Sequence, residues 1–373
     1  MFNFLKIDKK ILKYLDVGAI AIALIIVIFG TLNIFSATQP VSKGYTNYSF
    51  IRIQAMWILA CLVGLYLVMA IDYTLIGSYV GLIYWASIAL LIINKVFSTA
   101  VNGQANWIKI GPLTIQPSEF AKIALILLLA KKIDDMEGKI NDPRNFFILL
   151  IYIGIPLALI LPDMGLTMII FFTVLGIAFI AGLDLKVITG GIAALIAGVM
   201  LIWNTNLLGA HVKARFTAFL NPDVDPLGAS YQLLQSKIAI GSGGLMGKGF
   251  MQGTRVHGGF VPFAYTDFIF AVVCEEWGLI GAGFLFLMYA ILLFKFIKIA
   301  KNSKDIFGTL ICVGIISSFL FSIIQNAGMT VGIMPISGIT LPFMSYGGSS
   351  LLANFISVGL ILNVGMRKKK INF

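Results

Sequence analysis

The chain has 373 residues, of which 59% are hydrophobic and 12% are charged. Soluble domains contain about 45–50% apolar residues, so this composition excludes a soluble globular protein and indicates a polytopic protein surrounded by membrane lipids. The formal net charge is +11. It does not predict a nucleic-acid partner, because basic residues at the loop ends of a membrane protein are more simply orientation signals.

Apolar runs long enough to cross a bilayer recur along the whole chain. A helical span needs about 20 mostly apolar residues, and these runs lack the two-residue alternation of barrel strands. We predict spans near residues 17–35, 51–71, 75–96, 117–132, 146–161, 165–182, 187–207, 268–294, 307–327 and 346–366. The predicted fold is an all-α polytopic membrane protein with about ten transmembrane helices.

The predicted spans form one integral membrane domain over residues 1–373, without a separate soluble domain. Spans one to seven occupy 17–207, a large extracellular loop occupies 208–266 before the eighth helix, and spans eight to ten occupy 268–366. Outside loops of this length are usually functional or disordered. The Gly, Pro and aromatic residues of the loop argue against disorder.

Lysine and arginine predict the orientation in the membrane. An even number of spans places both ends on one side, and both ends are basic. Internal loops on that side carry Lys131, Lys186 and Lys295. Because cytoplasmic loops collect positive charge, we predict that both termini are cytoplasmic and that the long loop faces outward.

Asp267 directly follows the long loop and precedes the apolar run of the eighth span. One interpretation is helix capping, because a carboxylate is favoured near a helix N-terminus. Thr266 could serve as the cap equally well, which would leave Asp267 facing a cavity. A carboxylate at the membrane surface is also a candidate general base, because partial removal from water raises a carboxyl pKa toward neutrality.

Glu275 and Glu276 follow Asp267 in the same apolar run, about 12–14 Å further along a continuous helix. At that separation they cannot form a tight constellation with Asp267. An acid at the centre of a span costs about 2.5–3.5 kcal/mol, so each must face protein or water. They are either paired structural acids or, with Glu119, a proton relay of the kind used by transporters.

Two further sets of charged residues lie at the ends of predicted spans. Glu119 and Lys122 stand three residues apart and share a helix face, where they can neutralise each other. Asp163 lies in the turn LPDMG before the sixth span. Each set is interpreted either as structural or as part of an active site.

The long loop is locally basic, with Arg215, Lys237 and Lys248 around the glycine-rich stretch IAIGSGGLMGKGF. The stretch is not a P-loop, because Ser242 stands where that motif requires Gly and Gly249 where it requires Ser or Thr. Its bases are either a solvated loop face or a site for an anionic headgroup, since arginine suits bidentate phosphate recognition.

Five stretches of the chain follow the order of a known family: NGQANWIKIGPLTIQPSEFAK, LPDMGLT, FLNPDVDPLGASYQLLQSKIAIGSGGLMGKGF, TDFIFAVVCEEWGLIG and LPFMSYGGSS. On these stretches the chain resembles the SEDS family of shape, elongation, division and sporulation proteins, and specifically its RodA branch. The resemblance covers essentially the whole chain. It implies a peptidoglycan glycosyltransferase that polymerises lipid II at the outer face of the bacterial cytoplasmic membrane during cell elongation, with a sporulation paralogue as the neighbouring alternative.

The resemblance also implies roles for residues and partners. The family's essential aspartate corresponds to Asp267, as the general base that deprotonates the acceptor sugar hydroxyl. Candidate substrate-binding residues are Lys109, Glu119, Lys122, Asp163, Arg215, Lys237 and Lys248. The implied partners are a class B penicillin-binding protein, which crosslinks the strands, and the elongation machinery.

No metal site is predicted from the residues, because three cysteines and two histidines are too few and too scattered for a ligand motif. Magnesium or manganese could still share the charge of the diphosphate. The chain also departs from its relatives, which often have a Glu and a His where Phe263 and Tyr265 stand. Two alternatives stay open: a lipid II flippase that uses the intramembrane acids, and a scaffold without catalysis.

Overall fold

The structure is a computed structural model that describes residues 9–39, 48–97, 107–110, 113–160, 163–203, 213, 217, 219–221 and 230–367. Arg215 lies outside these residues, and so does 204–212, which contains the predicted boundary between the seventh span and the long loop. The described chain is predominantly helical, as the hydrophobic runs predict.

The first half of the chain consists of apolar helices and one short hairpin. In chain order the elements are α1 Lys9–Leu12, α2 Val17–Ala37, α3 Ser49–Ala70, α4 Tyr73–Ser78, α5 Val80–Phe97, β1 Ile108–Ile110, β2 Leu113–Ile115, α6 Pro117–Asp135, α7 Pro143–Ile160, α8 Met164–Ile180 and α9 Leu185–Trp203. Most helix ends fall within a few residues of the predicted spans.

Two features of this half differ from the prediction. The apolar run at 75–96 is divided into α4 and α5 at Tyr79, and Asp72 caps α4 through the Thr74 N–H at 2.9 Å. The strands β1 and β2 form an antiparallel hairpin in which Lys109 pairs with Thr114. Hydrophobicity over a 20-residue window cannot show either feature, because both depend on a few residues of local geometry.

The second half holds two long helices and several short elements. The order is α10 Tyr231–Gly243, α11 Thr254–His257, α12 Ile269–Lys301, α13 Ile306–Val331 and α14 Gly348–Met366. Residues 208–266 were expected to form a loop, but α10 and α11 lie within that range. The length of α10, 13 residues, is below the 20-residue requirement for a span, so a hydropathy criterion does not detect it.

Six helices of the described chain are long and apolar enough to cross a membrane: α2, α3, α7, α12, α13 and α14. Two shorter apolar helices, Val80–Val96 and Met164–Ile180, accompany them. Large apolar side chains on the outer helices are exposed, for example Leu59 at 66% and Leu82 at 70%. Apolar surface of this kind suits contact with lipid rather than water. In contrast, Phe355, Val358 and Ile361 of α14 are fully buried, which places α14 in the protein core.

The helix α12 is interrupted at Gly278, where φ is 63° and ψ is −159°. The turn after α10 crosses the chain at this point: Leu279 N–H donates to Gly244 O at 3.0 Å, and Lys248 N–H donates to Glu275 O at 3.0 Å. These bonds replace helical hydrogen bonds that the interruption removes, as buried backbone requires. The predicted continuous span at 268–294 is therefore two helical segments.

Both glutamates lie two to three residues before the interruption. Ser36 is the second-last residue of α2, and its Oγ donates to Glu276 Oε1. His257 Nε2 lies 3.4 Å from the same oxygen. Glu276 thus sits beside the end of a candidate membrane-spanning helix. Gly278 ends the helical segment that carries both acids, so they lie in the last turn of that segment and not within the uninterrupted span that was predicted.

Glu275 is completely buried and fixes the segment that contains α11. Its carboxylate accepts from Lys248 Nζ at 2.8 Å, from Arg255 N–H at 2.9 Å and from Val256 N–H at 3.0 Å. The two backbone donors belong to the first turn of α11, where a carboxylate satisfies groups that lack helical partners. Glu275 is thus a paired structural acid, and Glu276 is hydrogen-bonded to Ser36.

We expect Gly278→Ala to destabilise the fold. A Cβ at Gly278 would lie 2.3 Å from Gly247 N, and its positive φ is unfavourable for other residues. The substitution should lower the melting temperature and reduce the free energy of unfolding by about 1–3 kcal/mol. Gly283→Ala, in the same helix with open space around it, is the control and should be neutral or stabilising. Equal melting temperatures for the two variants would contradict the close contact between Gly278 and the turn after α10.

We expect Glu275→Gln to destabilise the protein by roughly 1.5–3 kcal/mol, because hydrogen bonds to a charged group are lost and the amide cannot accept from both backbone donors. The control is Asp135→Asn, which removes an exposed ion pair with Lys131 at 2.8 Å. Exposed pairs contribute at most about 1 kcal/mol. Unfolding in detergent would show the difference, and a smaller loss for Glu275→Gln than for Asp135→Asn would refute the role given to Glu275.

Candidate active site

A cavity of about 570 Å³ lies between the start of α6, the start of α8, the turn before α12 and the segment between α13 and α14. Four of the predicted site residues line it together: Glu119, Lys122, Asp163 and Asp267. They come from three separate parts of the chain. This convergence of polar side chains in an apolar cavity is typical of a substrate site.

Asp267 is half-buried in the turn that precedes α12. The N-cap position of that helix is Phe268, so Asp267 is not the capping residue. Its side chain lines the cavity instead, and a Cβ at Gly338 would lie 3.6 Å from its Oδ2. The backbone around Gly338 therefore passes close to the carboxylate. Of the two interpretations of Asp267, the cavity-facing one agrees with this geometry.

Two buried amide side chains on α13 hold the non-helical segments around Asp267. Asn326 Nδ2 donates to Asp267 O at 2.8 Å and to Ile339 O at 2.7 Å. Gln325 Nε2 donates to Pro335 O at 2.9 Å and to Ser337 Oγ at 3.1 Å. Backbone carbonyls away from water need such partners. The amides thus fix the turn before α12 against the segment that follows α13.

Glu119 and Lys122 form a buried ion pair with 2.8 Å between Nζ and Oε2. The pair lies in the first turns of α6, which begins at Pro117. The three-residue spacing places both side chains on one helix face, as predicted. Among the cavity-lining side chains that the structure describes, Lys122 is the only Lys or Arg.

Asp163 is the N-cap of α8, and its Oδ1 accepts from Leu166 N–H at 3.1 Å. Its other oxygen, Oδ2, lies 3.3 Å from Gln116 Nε2. Asp163 is therefore structural and cavity-lining at the same time, because one oxygen caps the helix while the carboxylate borders the cavity. Gln116, which the sequence analysis did not single out, joins the starts of α6 and α8.

Aromatic residues form one side of the cavity. The ring of Tyr265 lies 5.1 Å from that of Phe50 and 5.9 Å from that of Tyr346. Phe263 has a φ of 56°, which is strained for a residue with a Cβ. The side chains of Phe263 and Tyr265 both line the cavity.

Of the predicted basic residues whose side chains the structure describes, Lys122 lines the cavity, whereas Lys237 and Lys248 do not. Lys248 pairs with Glu275, and Lys237 is exposed on α10 beside Gly332, the end of α13. The side chain of Lys109 and all of Arg215 lie outside the described residues, although β1 places the Lys109 backbone opposite Thr114. The assignment of these four residues to substrate binding stays a prediction.

Metal ligands are not clustered in the part of the chain that the structure describes. No three His, Cys, Asp or Glu side chains there come together in a group that could hold an ion. The described residues thus offer no dedicated magnesium or manganese site, and the involvement of either ion stays a prediction.

Comparisons with known proteins agree with the resemblance. A family model described as "Cell cycle protein", of the FtsW, RodA and SpoVE type, matches residues 17–370. The stage V sporulation protein E of Bacillus subtilis is 33% identical over 357 residues, which cover 94% of this chain and 96% of that protein. The peptidoglycan glycosyltransferase MrdB of Escherichia coli is 34% identical over 294 residues, covering 78% of each chain.

A solved structure of similar fold comes from work on the structural coordination of polymerization and crosslinking by a peptidoglycan synthase complex. The matching chain has a TM-score of 0.80 and 30% identity, with 94% of this chain and 97% of that chain covered. The family match over nearly the whole sequence shows that the chain belongs to the SEDS family, the FtsW, RodA and SpoVE group of cell cycle proteins.

Proposed function

We propose that this protein is a peptidoglycan glycosyltransferase that polymerises lipid II, with Asp267 as the general base. The observation that carries the proposal is the position of Asp267, which lines a cavity together with a buried ion pair and a second carboxylate. Relatives that carry the name peptidoglycan glycosyltransferase support the activity.

The proposed reaction joins two sugars. The Asp267 carboxylate takes the proton of the acceptor sugar hydroxyl, and the hydroxyl oxygen forms a bond to the anomeric carbon of the donor. The bond between that carbon and the diphosphate oxygen breaks, and undecaprenyl diphosphate leaves with the electron pair. The turn fixed by Asn326 holds the base in place, since general-base catalysis requires hydrogen-bond reach to the hydroxyl.

Lys122, Glu119 and Asp163 are proposed to bind the polar part of the substrate. Lys122 is a donor with a fixed position, because Glu119 holds its ammonium at 2.8 Å. Such a preorganised positive group can stabilise negative charge that develops on a phosphate or a sugar oxygen. Lys109, Arg215, Lys237 and Lys248 are proposed to add positive charge for the substrate, and a divalent cation would enter with the diphosphate.

The flippase alternative is not favoured. It depends on a relay of membrane acids, but Glu275 accepts three hydrogen bonds at 2.8–3.0 Å and Glu276 is bonded to Ser36. A relay group must change its partners during transport, whereas this carboxylate holds the start of α11 in place.

We also propose the membrane arrangement implied by the charge pattern. About ten spans cross the bilayer, both termini are cytoplasmic, and the cavity with Asp267 faces outward with the segment 208–266. An outward cavity suits a lipid-linked substrate whose product is deposited outside the cell.

The partner in this proposal is a class B penicillin-binding protein that crosslinks the glycan strands within the elongation machinery. The structural relative from a complex that coordinates polymerization and crosslinking supports such a partner. The role in elongation rests on the RodA-like loop sequence, since identity to sporulation and glycosyltransferase relatives is nearly equal, 33% and 34%.

We expect Asp267→Asn to reduce lipid II polymerisation by roughly 10²–10⁴-fold, the usual contribution of a general base. The sample is the co-purified complex with its penicillin-binding protein, and glycan strands are measured by gel. The control is Asp184→Asn, an exposed acid before α9. Wild-type polymerisation by folded Asp267→Asn would refute the assignment of the base.

We expect the double variant Glu119→Gln and Lys122→Gln to lose about 10²-fold in polymerisation, because the fixed positive group is removed. Changing both residues avoids leaving one buried charge unpaired. Lys186→Gln, which removes an exposed lysine outside the cavity, is the control and should retain activity within a few-fold. Full activity of a folded double variant would show that the pair serves structure alone.

A further inference from the structure

A second cavity, of about 370 Å³, lies at the other end of α2 from Ser36. It is bordered by the residues just before α2, the last turns of α12 and the last turns of α14. Its lining residues include none of those that line the cavity of Asp267. Its size falls within the range of small-molecule sites.

The charge in this cavity is predominantly positive. Three lysines line it, Lys13, Lys295 and Lys298, against one acid, Asp16. Asp16 pairs with Lys295 at 2.9 Å and also caps α2 through the Ala19 N–H. Among the residues that the structure describes, Lys13 and Lys298 have no carboxylate partner. Two ammonium groups therefore line a common space, and no carboxylate of the described residues neutralises them.

The position of Lys295 is fixed by the backbone beside it. A Cβ at Gly18 would lie 2.8 Å from Lys295 Nζ and 3.2 Å from Asp16 Oδ1, so the ion pair occupies space that a side chain would fill. Asp16, the acid of the cavity, is thus already paired with Lys295. The other two lysines remain available to an anion from outside.

The surroundings of the cavity indicate a ligand with an apolar part. Val17, the first residue of a 21-residue apolar helix, is 64% exposed, and Leu12 and Tyr14 are 42% and 39% exposed. The bases therefore lie at the end of a candidate span, beside apolar surface suited to acyl chains. Basic cavities between transmembrane helices on the cytoplasmic side bind anionic phospholipid headgroups, and this end carries the lysines that predict the cytoplasmic side.

We propose that this cavity binds the phosphodiester headgroup of an anionic phospholipid, with Lys13 and Lys298 as the phosphate ligands. Lys295 contributes positive charge while remaining paired with Asp16. The site serves to hold an annular lipid at the end of α2 opposite the catalytic cavity, and it requires no assumption about the reaction there.

The test uses the full chain in detergent and follows thermal unfolding as phosphatidylglycerol or phosphatidylcholine is added. Phosphatidylglycerol should raise the melting temperature more than phosphatidylcholine does. Lys13→Gln with Lys298→Gln should weaken this effect by roughly tenfold in lipid concentration, given the contribution of each lysine near an anionic surface. The control, Lys139→Gln with Lys186→Gln, removes two exposed lysines outside the cavity and should respond like wild type.

Further variants and ligands separate the outcomes. The double change to arginine should retain the lipid effect, which would show that charge rather than folding is responsible. Inorganic phosphate and glycerol 3-phosphate should have no comparable effect; an equal, lysine-dependent effect of either would overturn the lipid assignment in favour of a free phosphate. Equal losses in the cavity and control variants, or no loss in either, would overturn the site itself.

Discussion

The candidate site depends on hydrogen bonds to backbone that is not helical. Within a membrane protein, carbonyl and N–H groups outside helices need protein partners, and non-helical backbone occurs only where it is buried in protein or lines a cavity. Asn326 meets this need for the carbonyls of Asp267 and Ile339, and Ser345 Oγ donates to Thr266 O at 2.7 Å. Asn326 on α13 and Ser345 before α14 thus hold the turn of Asp267, the proposed base, against the segment between α13 and α14.

The same constraint is met differently where α12 is interrupted. There the turn after α10 supplies backbone partners. The Glu275 carboxylate accepts hydrogen bonds from the N–H groups of Arg255 and Val256 at the start of α11 and from Lys248 Nζ. A neutral amide suffices where only carbonyls must be satisfied. A carboxylate is needed where the unpaired groups are donors, because it accepts several hydrogen bonds at once. An amide side chain thus stands where backbone carbonyls need a donor, and a carboxylate stands where backbone N–H groups need an acceptor.

Local patterns in the sequence predicted the features that depend on neighbouring residues. The spacing of Glu119 and Lys122 predicted their ion pair, and the apolar runs predicted most helix positions. The pairing of Lys248 with Glu275 joins residues 27 apart in sequence, and Lys295 pairs with Asp16 across 279 residues. Pairs at such separations have no periodic signal in one sequence. The sequence shows a glycine at position 278, but only the backbone of the turn after α10, which passes close to it, explains why a glycine is required there.

The charges of the catalytic cavity constrain how the substrate can lie. Three acids line its described part, and Lys122, the one lysine there, is paired with Glu119. In the proposed reaction a carboxylate suits the position of a base beside a sugar hydroxyl, whereas neighbouring acids oppose the charge of a diphosphate. In the proposed function the sugars therefore lie beside Asp267. The diphosphate belongs nearer Lys122 or beyond the described lining, where its charge can be balanced by the predicted basic residues or by a cation that it carries.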